Sequence, residues 1–256
     1  MADNQIKAPA LAAILLFSFA GGFLQLQGIL ATKITVQNKC VQTLWISSNS
    51  NQQRTPRLDP DDTDFVLNSG DQKLISPPPG WAAHIWARTR CLLRPDTQLV
   101  CATGDCKSGS LYCDGAFPTP PVTFIDFMLG GGAGNDTYDV SLIAGFNVPV
   151  TVAPTASECS LASCDFDINS VCPQKYQVLA ADGRAAVACR SACEVMKDEE
   201  GCCAYDVGKR EVKCTRMAYK EMLKVKCPKA MVYADDGSDW FRCGHGSDYI
   251  VTFCPE

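Results

Sequence analysis

Short hydrophobic runs, some alternating and some continuous, fill the chain from Thr32 to about Cys159 and return at its C-terminal end. KITVQNKCVQTLWIS (Lys33 to Ser47) and GWAAHIWART (Gly80 to Thr89) are rich in β-branched and aromatic residues and are bounded by Asn, Gly and Pro. That combination of length, residue type and punctuation predicts strands rather than helices. TYDVSLIAGFNVPVTVAP (Thr137 to Pro154) and DYIVTFCPE (Asp248 to Glu256) supply further strand candidates. Pro77-Pro78-Pro79-Gly80 cannot join a hydrogen-bonded ladder and marks a connection. Many short strands separated by turn chemistry predict a mainly β protein, an antiparallel β-sandwich.

From about Cys159 the pattern changes. RAAVACRSACEVMK (Arg184 to Lys197) and TRMAYKEMLKVKC (Thr215 to Cys227) read as helices. In the second, Met217, Met222 and Val225, or alternatively Ala218, Met222 and Leu223, make the inner face, with Thr215 a fair cap. Large core residues are scarce here, so the segment depends on cross-links for its shape.

The cross-links are supplied by cysteine. In a chain of 256 residues with ordinary globular composition, 46% hydrophobic and 20% charged, there are 16 cysteines. Nine of them fall between Cys159 and Cys227. The stretch CATGDCKSGSLYC (Cys101 to Cys113) is open to three readings: a metal knuckle, a redox pair or a loop tied by disulfides. Zinc sites and thioredoxin-like chemistry both need closely spaced pairs such as C-x-x-C, and the chain has none; its only histidines are His84 and His245. Structural disulfides are therefore expected, with no metal and no cofactor. Bonding the adjacent Cys202 and Cys203 to each other would strain a small ring, so each is expected to pair elsewhere.

Disulfides imply an oxidising compartment. Between Lys7 and Lys33 the sequence carries no charge, and ALAAILLFSFAGGF (Ala10 to Phe23) has the length of a signal-peptide core. GILA ends on Ala31, a small residue suited to cleavage, although Ile29 is larger than usual there. The competing reading is an uncleaved anchor, which needs about 20 apolar residues. Gly21, Gly22, Gln25 and Gln27 dilute the far end and favour cleavage, so the mature chain is expected to be secreted.

These residues carry a family resemblance. CATGDCKSGSLYC resembles the signature loop of thaumatin-like proteins, the osmotin-like group of plant pathogenesis-related proteins. NKCVQTLW resembles their opening strand, HIWARTRC their A-R-I-W-A-R-T-G-C segment, DVSLIAGFNVPV their D-I-S-L-x-D-G-F-N-x-P segment, and VTFCP their C-terminus. The likeness spans Thr32 to Glu256. It implies the pairs Cys40–Cys254, Cys91–Cys101, Cys106–Cys113, Cys159–Cys243, Cys164–Cys227, Cys172–Cys189, Cys193–Cys202 and Cys203–Cys214. Together with the apolar N-terminus it gives an expected division into a signal peptide (1–31), a sandwich core (32–88, 121–165 and 228–256), a small disulfide loop lobe (89–120) and a disulfide-rich helical lobe (166–227).

The departures from that family matter for function. Its antifungal members line a cleft with one Arg, one Glu and three Asp. Here the resemblance puts His84 at the Arg position, Asp126 at the Glu position, and Ala144 at one Asp position; Asp139 remains, and the last Asp corresponds to Asp235 or Asp236. Arg90 replaces a Gly before Cys91, and Thr97 and Leu99 stand where glycines usually precede the signature loop.

Glycoside hydrolysis needs an acid and a second carboxylate about 5–9.5 Å away. The candidates are Asp126 as acid, with Asp139 and Asp235 as partners. Asp is one methylene shorter than Glu, and a misplacement of about 1 Å can cost roughly 10²-fold in rate. Little or no turnover is expected. Binding asks for less: carboxylates accept from sugar hydroxyls, and Trp81, Phe127 and Tyr138 are the candidate apolar faces. His84 replaces the missing Arg charge only when protonated.

Charge adds a separate feature. Residues Lys209 to Lys229 carry eight basic side chains against Glu211 and Glu221, within a chain of net charge −5, so the remainder is strongly acidic. Such a basic lobe could attract anionic lipid or a pectin-like polymer, or simply be a solvated helical face. Nothing points to nucleic acid. Asn135-Asp136-Thr137 is an N-glycosylation sequon four residues before Asp139.

The resemblance and the residues together lead to an expected secreted, monomeric defence protein that binds fungal or oomycete cell-wall β-1,3-glucan or a microbial surface, without strong catalysis. The alternatives are a weak endo-β-1,3-glucanase and an inhibitor of a secreted microbial hydrolase such as a xylanase.

Overall fold

The structure, a computed structural model, describes residues 32–50, 56–130, 134–198, 200–206, 209, 211–234, 240–244 and 246–256. The signal peptide expected over 1–31 lies outside them. Strands are numbered along the chain, as are the helices, of which α1 (Pro60–Thr63) is a single turn. β1 (Ile34–Asn38), β4 (Gln72–Ile75), β9 (Val150–Pro154), β10 (Ala162–Cys164) and β16 (Tyr249–Phe253) form a five-stranded sheet in the order β10-β9-β16-β1-β4. β2 (Leu44–Asn49), β3 (Asp64–Leu67), β5 (Ala82–Leu93), β7 (Phe124–Met128), β8 (Asp136–Ser141) and β15 (Phe241–Cys243) form the second sheet in the order β15-β8-β7-β5-β2-β3, with β6 (Leu99–Thr103) paired to the end of β5. All pairings are antiparallel except β1 with β16, which is parallel.

The two sheets face each other because each strand alternates inward and outward residues. Val36 and Val251 of one sheet and Ile46, Ile85, Ile125 and Val140 of the other belong to a single buried cluster. Burying a side chain of this kind is worth about 1.5–3 kcal/mol. The mainly β sandwich read from the alternation is the fold observed.

The cross-linked segment differs from its expectation. Arg184 to Lys197 is not one helix: Ala186–Cys189 is strand β12, paired with β11 (Gln177–Leu179), and only Ala192–Met196 is helical (α2). Ser191 caps α2 by accepting from the Glu194 amide, and its i+3 acidic neighbour is the capping pattern that separates the two halves. Cys203–Asp206 (β13) and Glu211–Cys214 (β14) form another ribbon. The second helix is present at Ala218–Lys226 (α3), but Met217, not Thr215, occupies its cap position. Its buried face is Tyr219, Lys220 and Leu223, whereas Val225 faces solvent. Tyr219 decides this orientation: its ring stacks on Tyr176 at 3.7 Å and its hydroxyl donates to the Arg190 carbonyl at 2.6 Å.

Eight disulfides close, in the pairs that the resemblance implies: Cys40–Cys254, Cys91–Cys101, Cys106–Cys113, Cys159–Cys243, Cys164–Cys227, Cys172–Cys189, Cys193–Cys202 and Cys203–Cys214. Beside them, one buried amide ties several elements. Asn147 Nδ2 donates to the Ala87 carbonyl on β5 at 2.8 Å and to Thr103 Oγ1 on β6 at 2.9 Å. Its Oδ1 accepts from the Thr123 amide at 3.0 Å, and its carbonyl accepts from Asn169 of the disulfide-rich segment at 3.1 Å. Both of its N–H donors and its oxygen engage buried partners, and its loss would leave the Thr123 amide without this acceptor. Asn147→Ala is therefore expected to destabilise the protein by about 2–4 kcal/mol, measured by guanidinium denaturation with the disulfides intact.

Candidate functional site

The site is built by strand register. On the outer face of the second sheet, β2, β5, β7 and β8 set Asn49 opposite His84, His84 opposite Asp126, and Asp126 opposite Asp139. Directly opposed residues on one face have Cβ atoms about 4.5–5.5 Å apart, so four polar side chains stand in one row. His84 Nδ1 bonds Asp126 Oδ1, and Asn49 Nδ2 donates to the Gly115 carbonyl at 2.7 Å. Asp139 is only 3% exposed, below the surface formed by its neighbours.

A loop roofs one end of this row. Trp86 and Arg88 lie on the same face of β5 as His84, and both reach up to the stretch between Cys101 and Cys113. Trp86 Nε1 donates to the Gly104 carbonyl at 3.1 Å, and Arg88 donates to the Ser110 carbonyl at 3.1 Å and the Leu111 carbonyl at 2.5 Å. Asp105 closes the turn by accepting from the amides of Cys101 at 2.9 Å and Lys107 at 2.7 Å. Gly104 is required here: its φ is +65°, and a Cβ would come within 2.9 Å of the Ala87 carbonyl. The signature loop is thus a clamp on the outer face, held by the Cys106–Cys113 bond and by a buried guanidinium. Burial lowers the Arg88 pKa from its ordinary value, opposed by the carboxylate of Asp64 at 3.9 Å and by Asp105. Burial raises the pKa of Asp64 in turn, against its hydrogen bonds and the Arg88 charge.

The aromatic residues of the site are not those read from the sequence. Trp81, Phe127 and Tyr138 are each 2% exposed or less and point into the core. Phe127 and Tyr138 directly follow Asp126 or precede Asp139, and neighbouring strand residues face opposite sides, so the pleat excludes them from the carboxylate face. Burial pushes the Tyr138 pKa up to about 12. In their place the roofing loop brings Phe117, 47% exposed, with its ring 5.7 Å from that of His84, and Phe124 of β7 lies 5.4 Å away on the other side. Phe117 lacks any sequence periodicity; only its position just beyond Cys113 hints at a role.

Ala144 sits off the row, packed with Trp86, Val122 and Phe124 in a small outer cluster. Asp235 and Asp236 lie outside the described residues. Asn135 is half-buried just before β8, about 13 Å along the strand from Asp139 at 3.3 Å per residue. Among the described residues, no group of three His, Cys, Asp or Glu side chains converges to hold a metal ion, and no helix is long and apolar enough to cross a membrane.

Among the described residues, the basic segment keeps Lys209, Lys213, Lys226 and Lys229 exposed, while several of its cations also touch the protein. Lys220 is buried, Lys224 donates to the Ala230 carbonyl at 3.0 Å, Arg216 lies over the Tyr233 ring at 4.1 Å and Lys226 over the Phe166 ring at 4.5 Å.

This is a disulfide-tied β-sandwich whose outer sheet carries a polar row beside an exposed aromatic ring. The thaumatin family model matches residues 38–255, and the chain belongs to that family. It is 39% identical over 231 residues to thaumatin-like protein 1a of Malus domestica, covering 89% of this chain and 92% of that one. It is 36% identical over 245 residues to a glucan endo-1,3-beta-glucosidase of Prunus avium, covering 94% and 98%. The solved structure of a thaumatin-like xylanase inhibitor aligns with a TM-score of 0.48 at 20% identity, covering 87% of this chain and 99% of that one.

The His84 pKa is raised above its ordinary value, chiefly by the bond to Asp126, with burial opposing. A histidine that binds its proton more tightly when folded stabilises the fold fully below its unfolded pKa of about 6.5 and loses that contribution as pH rises through the folded value. His84→Gln is expected to lose melting temperature relative to the parent at about pH 5 and to converge with it as pH rises above about 6.5, followed by calorimetry across that range.

Proposed function

We propose that this chain is an extracellular defence protein that binds a β-1,3-glucan of microbial cell walls along the His84–Asp126 row, without hydrolysing it. The observation that carries this reading is the exposed Phe117 ring set against the hydrogen-bonded His84–Asp126 pair. A sugar ring has apolar faces edged by hydroxyls, and an aromatic ring beside fixed polar groups complements both features. The polymer class is suggested by the relative named glucan endo-1,3-beta-glucosidase. Extracellular location is supported by eight disulfides, which persist in oxidising compartments.

The same geometry argues against turnover. A glycosidase acid must touch the leaving oxygen and hold a proton to give it. Asp126 spends an oxygen on the imidazole of His84, Asp139 is shielded below the row, and Ala144 brings no carboxylate at all. Asp139 and Ala144 thus fail the first requirement, and Asp126 has a single oxygen left with which to meet it. A sugar hydroxyl, by contrast, needs only an accepting oxygen and a donating N–H at the rim, which the pair supplies.

Laminarin cosedimentation and reducing-sugar release, run side by side, test the reading. The protein is expected to bind laminarin and release no reducing ends above background. Phe117→Ala should weaken binding about fivefold, because a stacked ring is worth on the order of 1 kcal/mol, while Asp139→Asn should leave it little changed. Sustained release of reducing ends, abolished by Asp126→Asn, would make the protein a glucanase instead.

A further inference from the structure

The hairpin of β5 and β6 reaches past the sheet from which it starts. β7 pairs with β5 over Ala82 to Ile85 and β2 over His84 to Thr89. Among the described residues, no strand other than β6 pairs with the last turn of β5, Arg90 to Leu93. The ribbon is nevertheless stiff. Cys91 is bonded to Cys101 directly opposite, the Arg94 amide donates to the Gln98 carbonyl at 2.8 Å, and the Thr97 amide donates to the Arg94 carbonyl at 2.9 Å.

This stiff ribbon carries core residues out into water. Leu92 is 73% exposed and Leu93 69% exposed. Leu92 opposes Val100, and Leu93 opposes Leu99. Neighbouring strand residues point to opposite sides, so each face of the ribbon bears an apolar pair. Basic side chains surround them: Arg90 and Arg94 flank the leucines, and Arg94 shares a concavity of about 410 Å³ with Lys107 of the signature loop. All three cations are exposed, and none is in an ion pair among the described residues. The nearby acids are engaged with backbone: Asp105 accepts from the amides of Cys101 and Lys107, and Asp96 from that of Gln98. Arg90 and Leu99 stand where the family resemblance puts glycine, so both the charge and the apolar bulk belong to this chain.

Three features choose the occupant of this surface. Apolar pairs on opposite faces of a ribbon with about 5 Å between its strands need a medium that meets both faces, whereas a rigid protein surface covers one. Exposed, unpaired arginines favour anions, phosphates above all. The polar turn from Pro95 to Gln98 and the edge of β5 beyond Thr89 still need hydrogen-bonding groups beside them. The interfacial layer of an anionic bilayer supplies acyl carbon, negative charge and polar headgroup atoms together.

We infer that the β5–β6 hairpin docks the protein on anionic lipid bilayers, lying along the headgroup layer with Leu92 and Leu93 against acyl chains and Arg90, Arg94 and Lys107 on anionic headgroups. The chain as a whole is acidic, but the field of exposed charges fades over about 8 Å at physiological salt, so the lipid meets the charge of the hairpin itself. This docking does not rest on the glucan row.

Flotation of the disulfide-bonded protein, secreted from a eukaryotic host, with lipid vesicles provides the test. The vesicles are phosphatidylcholine alone or phosphatidylcholine with about one third phosphatidylserine. The protein should bind the anionic vesicles at least about tenfold better than the neutral ones. Leu92→Thr combined with Leu93→Thr, which keeps strand propensity, should lower binding to the anionic vesicles at least about tenfold. Leu92→Phe combined with Leu93→Phe should bind as the parent does. Arg90→Gln combined with Arg94→Gln should bring binding to the anionic vesicles down toward that seen with neutral ones. Lys213→Gln combined with Lys229→Gln, in the basic segment, should leave binding unchanged. Near-UV circular dichroism verifies that each variant is folded. The inference is overturned if the parent does not float with anionic vesicles, if the threonine pair floats as well as the parent, or if the lysine pair abolishes binding. Dimerisation in solution that the threonine pair removes, without flotation of the parent, would overturn it as well and assign the hairpin to a second copy of this chain.

Discussion

Everything functional on this surface depends on the register of four strands. Because side chains alternate with a period of two, sliding β7 by one residue against β5 would turn Asp126 into the core and bring Ile125 or Phe127 to the outside. Three constraints hold that register. The inner faces of β5, β7 and β8 pack Ile85, Ile125 and Val140 into one core. Asn147 grips Ala87 of β5 and the Thr123 amide just before β7, and the Cys91–Cys101 bond pins the far end of β5 against β6. Covalent, apolar and polar forces therefore agree on one alignment, and the polar row on the other face is its by-product.

Much of this was legible in the amino-acid sequence, for physical reasons that can be named. Strands such as β1, β2, β5 and β16 have alternation bounded by turn residues, and each was read in nearly its observed place. Arg184 to Lys197 misled because its small residues, Ala185, Ala186, Ala188 and Ala192, suit a helix intrinsically, while β11 and a disulfide from Cys189 to Cys172 pull the first half into a ribbon. Local propensity is a weak prior, and tertiary context overrode it. In α3 the charged periodicity concealed a buried lysine and an inward tyrosine, because a hydroxyl and an ammonium can be buried when partners exist.

The site divides along the same line. His84, Asp126 and Asp139 come together because cross-strand pairing is local geometry once the strands are known. Phe117 does not follow from any pattern: it arrives on a loop whose path is set by Arg88, Asp105 and the Cys106–Cys113 bond. Choosing Phe127 and Tyr138 as sugar platforms overlooked the pleat, which sends them away from their acidic neighbours. The substitution at Ala144 is similar in kind. As a letter in the sequence it marks a lost carboxylate, and only in three dimensions does it become part of an apolar cluster.

Strand β16 sits inside its sheet, between β9 and β1, although it is the last strand of the chain. Its parallel neighbour β1 is the first, and Cys40 and Cys254 are bonded 214 positions apart. During synthesis, then, β1 must wait beside β4 with one edge bare until β16 emerges. The central pairing of this sheet is therefore among the most distant in sequence that the fold makes, and no shorter stretch of the chain can complete it.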